Sequence, residues 1–141
     1  MNEINNVSAT QAAVKIGSLP KILLIEDDAL NANVIQKFLR KEYRVDVAFR
    51  GEEGVELAKT NEYCLILLDI NLGRGMTGIE VLRELNSFPG FKKTPVIAST
   101  AYTMIGDKEH LLSEGFNDYI SKPYTMGEIL IKIRENLQKL Q

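Results

Sequence analysis

The sequence predicts a doubly wound α/β domain built on a parallel sheet, and three observations predict it. Short apolar runs alternate along the chain with segments of helical periodicity. Three of the runs, Lys21 to Ile25, Cys64 to Leu68 and Pro95 to Ala98, carry almost no polar residue, as expected for strands covered by helices on both faces. Each of those runs then ends in carboxylates or a hydroxyl: Glu26-Asp27-Asp28, Asp69, and Ser99-Thr100. Open α/β sheets bind ligands at the carboxyl ends of their strands.

The elements follow in order. Residues 1–18 are small and polar and read as a flexible leader, with a short helix over Thr10 to Ile16 as an option; residues 19–141 form the domain. Pro20 precedes the first strand, Lys21 to Glu26. A helix from Leu30 to Lys41 places Leu30, Val34, Ile35, Phe38 and Leu39 at helical spacing. Arg44 to Phe49 alternates Val45, Val47 and Phe49 with polar or small partners and reads as an edge strand. Gly51 to Asn61 forms a helix with Val55, Leu57 and Ala58 inward, and Cys64 to Asp69 is the next strand. After a loop through Gly73-Arg74-Gly75, a helix from Gly78 to Ser87 carries Ile79, Val81, Leu82 and Leu85. Pro89-Gly90 marks a loop before the strand Pro95 to Thr100. A helix from Gly106 to Glu114 stops at Gly115, a C-cap residue type. The strand Asp118 to Ser121 and a helix from Met126 to Leu140, with Ile129, Leu130, Ile133 and Leu137 on one face, complete the chain. Five strands alternating with five helices, with right-handed crossovers and the three most apolar strands at the centre, give a three-layer, flavodoxin-like (βα)5 fold of strand order 2-1-3-4-5.

Composition narrows the function classes. Of 141 residues, 45% are hydrophobic and 26% charged, which marks a globular chain with a core of its own. The net charge of −2 offers no basic surface for nucleic acid. No apolar stretch approaches the roughly 20 residues that span a bilayer, and the N-terminus lacks a secretory pattern. A cytoplasmic protein is expected. The single Cys64 cannot form an internal disulfide and reads as a buried, inert thiol.

In order 2-1-3-4-5 the first and third strands are neighbours, so Glu26, Asp27 and Asp69 converge at the switch point. Like charges there need compensation, and an oxygen-liganded hard cation supplies it: Mg²⁺, with Mn²⁺ as the alternative. A lone acid after a strand is more often a helix N-cap, and Asp28 takes that humbler role. Asp69 stands alone at its strand end and is the candidate nucleophile, since a carboxylate can form an aspartyl phosphate. Lys122 can supply positive charge to phosphoryl oxygens. The Lys122–Pro123 bond is open to either isomer, the cis form being the one that aims the lysine inward. Thr100 ends the strand beside that of Asp69 and can donate its hydroxyl, although β-propensity explains a strand threonine nearly as well. Tyr119 is either plain core or a movable aromatic. His110 reads as exposed and non-catalytic, and Met76, Met104 and Met126 as loop or packing residues.

Four segments together, Ile22 to Asp28, Leu67-Leu68-Asp69-Ile70-Asn71, Ser99-Thr100-Ala101 and Ser121-Lys122-Pro123, closely resemble the receiver domain of two-component response regulators. The likeness covers about residues 21–140. It implies that Asp69 accepts a phosphoryl group from a phosphohistidine on a histidine kinase or histidine phosphotransfer protein. It implies that Asp27 binds Mg²⁺ directly, Glu26 through water, and Asn71 through its backbone carbonyl. Thr100 and Lys122 would bind the phosphoryl group, and Tyr119 would be the switch aromatic that turns inward as Thr100 moves. The fourth helix, fourth and fifth strands and last helix would carry the output. Asn71 and Tyr102 occupy the positions that influence phosphate lifetime in the family, with Tyr102 expected to shield the aspartyl phosphate from water. One departure is visible: Gly78 lies nine residues beyond Asp69 where the family has eight, so the loop holds an extra residue and is expected to be freer.

The expectation is therefore a phosphorylation-controlled switch, not an enzyme beyond its own phosphorylation and dephosphorylation. A phosphatase or phosphotransferase of the haloacid dehalogenase type would need a second Asp at position 71, where Asn stands. A flavin binder on the same fold would need hydroxyls and glycines after the first strand, where three acids stand. A docking domain that works without phosphate is argued against by the intact acidic set. With no DNA-binding or catalytic segment after the last helix, output through a downstream protein target is expected, with no direct DNA binding and no membrane segment. The run Thr100-Ala101-Tyr102 with Gly106-Asp107 resembles receivers of hybrid kinases and single-domain relays.

Overall fold

The computed structural model describes residues 18–91, 93–101 and 106–140. Tyr102, Met104 and the optional helix over Thr10 to Ile16 lie outside them. Ten elements alternate: β1 (Lys21–Ile25), α1 (Ala29–Leu39), β2 (Arg44–Ala48), α2 (Gly51–Thr60), β3 (Leu65–Asp69), α3 (Gly78–Ser87), β4 (Val96–Thr100), α4 (Asp107–Glu114), β5 (Asp118–Ser121) and α5 (Met126–Gln138). All strand pairs are parallel, and the sheet order is β2-β1-β3-β4-β5. Every residue of β3 and β4 is buried, as the unbroken apolar runs require of central strands.

Alternation along the strands divides the core in two. Leu23, Ile25, Ile66, Leu68 and Ala98 face α2, α3 and α4, where Val55, Val81, Leu82, Leu85 and Leu111 meet them. Ile22, Leu24, Leu65, Leu67 and Ile97 face α1 and α5, against Ala32, Ile35, Leu39, Ile129 and Ile133. Three helix starts are fixed by side chains. Asp28 caps α1, its Oδ1 accepting from the Leu30 and Asn31 amides at 2.9 and 3.2 Å. Thr77 and Glu80 form a reciprocal capping box at α3, and Thr125 and Glu128 another at α5. Gly115 ends α4 at φ +113°, a conformation that favours glycine.

Three sequence expectations need correction. The buried stripe of α1 is Ala32, Ile35 and Leu39, whereas Leu30 is 78% exposed and Val34 is also exposed. Leu30, Val34 and Phe38 form a ridge one step round the helix, so the apolar face is wider than the part the sheet covers. Cys64 is half-buried rather than buried; burial still raises its thiol pKa, which fits the inert role. Asn136, in a helix read as apolar on its inner face, is 2% exposed and donates to Asp118 Oδ2 at 2.9 Å. Among the described residues, no helix is long and apolar enough to cross a membrane.

Candidate functional site

Glu26 and Asp27 follow directly on β1, and Asp69 is the last residue of β3. Parallel pairing aligns Ile25 with Leu68, so the chain leaves the two strands side by side. One carboxylate oxygen from each of Glu26, Asp27 and Asp69 lies within 4.8 Å of the others. Glu26 and Asp69 are buried, whereas Asp27 is exposed. Lys122, just past β5, reaches back across the strand ends. Its Nζ donates to Glu26 Oε1 at 2.8 Å and to Asp69 Oδ2 at 3.1 Å. The Lys122–Pro123 bond is cis.

Backbone amides orient all three acids. The Asp28 amide donates to Glu26 Oε2 at 3.2 Å, the Asn71 amide to Asp69 Oδ1 at 2.9 Å, and the Gly73 amide to Asp27 Oδ2 at 2.8 Å. Asp69 is in register with Ser99 on β4, which sets Thr100 one residue beyond it. The Thr100 hydroxyl, itself buried, donates to Asn71 Oδ1 at 3.3 Å.

Charge in this corner is balanced unevenly. Burial raises the pKa of Glu26 and the charge of Asp69 adds to it, against a lowering by the Lys122 hydrogen bond. For Lys122, burial would lower the pKa, but Glu26 and Asp69 together outweigh it and hold the ammonium above its ordinary value. Three carboxylates against one ammonium leave the site anionic, and all its donors are oxygens. That set fits a hard divalent cation such as Mg²⁺.

The family model for the response regulator receiver domain matches residues 22–134. The chain belongs to that family. An uncharacterized transcriptional regulatory protein, YkoG of Bacillus subtilis, is 41% identical over 119 residues, which are 84% of this chain and 51% of that one. Hybrid signal transduction histidine kinase G of Dictyostelium discoideum is 38% identical over 113 residues, 77% of this chain and 3% of that one. This receiver chain thus spans about half the length of the curated regulator and a small part of the kinase. Among solved structures, the receiver domain of sensor histidine kinase PA1611 of Pseudomonas aeruginosa aligns with TM-score 0.78 at 33% identity, over 86% of this chain and 99% of that one. That receiver carries a magnesium ion coordinated in its active-site cleft.

Of the receiver residues expected from the sequence, Glu26, Asp27, Asp69 and Lys122 come together directly. Thr100 joins them through Asn71. Tyr119 is paired with Ala98 across the β4–β5 ladder, half-buried, with the Lys132 ammonium 6.0 Å from its ring centre. His110 is exposed.

Two features were missed. Ser99 Oγ and Tyr124 OH are buried beside the acids without a hydrogen bond of normal geometry, and burial raises the Tyr124 phenol pKa, with Glu26 adding to it. The loop after Asp69 is also tied down rather than freer. Besides the Gly73 bond to Asp27, the Met76 amide donates to Glu52 Oε2 at 3.1 Å. The Gly73-x-Gly75 spacing was the available signal, because both glycines lie where a carboxylate approaches the backbone.

Proposed function

We propose that this receiver domain accepts a phosphoryl group on Asp69 and passes the change to a protein partner. The observation that carries the reading is Lys122, whose ammonium bridges the buried Glu26 and Asp69 at the mouth of a three-carboxylate cluster. The donor would be a phosphohistidine on a histidine kinase or histidine phosphotransfer protein. A carboxylate oxygen of Asp69 attacks phosphorus, the P–N bond breaks, and the departing imidazole keeps the electron pair and takes a proton. Asp27, Asp69 and the Asn71 carbonyl would hold Mg²⁺, with Glu26 acting through water; the acidic cluster and the magnesium ion in the cleft of the PA1611 receiver support the choice of metal. When bound, the ion supplies positive charge to phosphoryl oxygens.

Lys122 keeps its ammonium beside Asp69 and can follow the charge onto the phosphoryl group. Thr100 can exchange its bond to Asn71 for one to a phosphoryl oxygen. That movement opens space beside Tyr119, so phosphorylation would shift a two-state equilibrium read at α4, β4, β5 and α5. Residues 19–141 would form the receiver and residues 1–18 a leader. Asn71 and Tyr102 would govern phosphate lifetime. Output through protein contacts, in the cytoplasm, follows from the same reading.

The test is intact mass after incubation with acetyl phosphate, with and without Mg²⁺, for the wild type and Asp69→Asn. A gain of one phosphoryl group that needs Mg²⁺ and disappears in the variant is expected. Full labelling of Asp69→Asn would refute the assignment.

A further inference from the structure

The amides of the loop from Asn71 to Thr77 fall on three carboxylates in turn. Asn71 N–H binds Asp69, Gly73 N–H binds Asp27, and Met76 N–H binds Glu52. Two of these acids belong to the cluster described above. Glu52 does not: it is an exposed residue in the first turn of α2, outside the cluster.

The glycines show how closely the clasp fits. A Cβ at Gly73 would stand 2.9 Å from Asp27 Oδ2. One at Gly75 would stand 2.5 Å from Glu52 Oε2, and Gly75 has φ +70°, which already disfavours a side chain. The backbone therefore lies directly on both carboxylates. Beyond the clasp, the Thr77–Glu80 capping box fixes the start of α3.

We infer that Glu52 is a positioning residue for cation binding: through the Met76 amide it holds the loop so that the Gly73 amide fixes the Asp27 carboxylate. The inference rests on the proposed Mg²⁺ site. Asp27 is exposed and has no other hydrogen bond among the described residues. Without the Gly73 amide it would sample several rotamers, and ordering it would fall to the moment of binding. The same loop presents the Asn71 carbonyl, so slack at Met76 loosens two proposed ligands at once. A carboxylate is not essential for this role. A glutamine keeps the acceptor oxygen, whereas an alanine removes it and still favours the helix.

The experiment is calorimetric titration of Mg²⁺ into the wild type, Glu52→Gln, Glu52→Ala and Asp27→Asn, with urea unfolding of each in the absence of Mg²⁺. Glu52→Ala is expected to weaken Mg²⁺ binding about fivefold or more, a coupling typical of residues sharing one hydrogen-bond network. Glu52→Gln should stay within about twofold of the wild type, and the two variants should unfold at similar urea concentrations. Unchanged Mg²⁺ affinity in Glu52→Ala would overturn the inference. Equal weakening in both Glu52 variants would overturn it too, because the effect would then come from charge at a distance. A wild type that binds no Mg²⁺, or an Asp27→Asn variant that binds as tightly, would instead overturn the metal site itself.

Discussion

Replacing Lys122 with methionine keeps the length of the side chain and removes its charge. Glu26 and Asp69 are then left in the folded state 1% and 4% exposed, without the ammonium that now lies 2.8 and 3.1 Å from them. Two unit charges 4.8 Å apart, the outer limit of the cluster, repel by roughly 3 kcal/mol at an effective dielectric constant of about 20. Removing one partner of a buried ion pair typically costs about 3–5 kcal/mol. The Lys122 side chain is 19% exposed, so water can enter where the ammonium was, and the lower end applies. The expected loss is about 3 kcal/mol at pH 7.

The sign with pH distinguishes this cause from lost packing. Glu26 already has a raised pKa, first because of burial, and losing Lys122 raises it further. An acid whose folded pKa exceeds its unfolded value takes up a proton on folding, so stability rises as pH falls through the folded pKa toward the unfolded one. The gap between wild type and Lys122→Met should therefore be smaller at pH 5 than at pH 7. Urea unfolding at the two pH values, followed by far-ultraviolet circular dichroism, measures it. A gap that is the same at both, or absent at pH 7, would refute the electrostatic reasoning. Mg²⁺ should also stabilise the variant more than the wild type, since ligand binding to the folded state adds stability by mass action.

Two further outcomes are expected away from the acids. Gly54→Ala would ordinarily strengthen a helix, but here the new Cβ meets the buried Ile25 side chain, so a loss of about 1–3 kcal/mol is expected; a raised melting temperature would contradict the packing of α2 on β1. Asn136→Ala removes the donor to Asp118 and should cost about 1–2 kcal/mol at pH 7. Burial works to raise the Asp118 pKa, but Asn136, the Tyr119 amide and Lys132 outweigh it and hold it below 3.8. That stabilisation is present above the unfolded pKa and lost as pH falls through the folded one, so the difference should narrow in acid below about pH 3.8. A difference constant with pH would place the effect in packing alone.

Much of this was legible because a parallel sheet covered on both faces leaves few choices. The runs before Glu26, Asp69 and Thr100 read as central strands, and sheet order then brought the acids together. The edges were less legible. Leu30 and Val34 obey the helical period as well as Ile35 does, and only the position of the sheet shows which part of a wide apolar stripe is covered. Asn136 looks like a break in an apolar face until Asp118, eighteen residues away, is seen opposite. The clasp at Met76 joins residues 24 apart through a backbone amide, a donor that every residue but proline carries and that therefore leaves no mark in the sequence.

The same asymmetry fits the proposed response of the site to phosphate. Two of its three carboxylates, Glu26 and Asp69, are buried and need a cation, and Lys122 supplies only one charge to both. Its bonds to Glu26 and Asp69 are both charge-assisted and both in place. Phosphorylation of Asp69 would exchange one carboxylate for a group with more charge and three acceptor oxygens, and Lys122 would have to divide its donors again. The Thr100 hydroxyl donates to an Asn71 side-chain oxygen 3.3 Å away, a long bond that a phosphoryl oxygen could outcompete. Since Thr100 ends β4 beside Ser121 of β5, a change at that hydroxyl begins on the strand pair that carries Tyr119. The fold thus places a long, neutral bond on the path toward the proposed output face, and the charge-assisted bonds of Lys122 on the side that holds the acids in place.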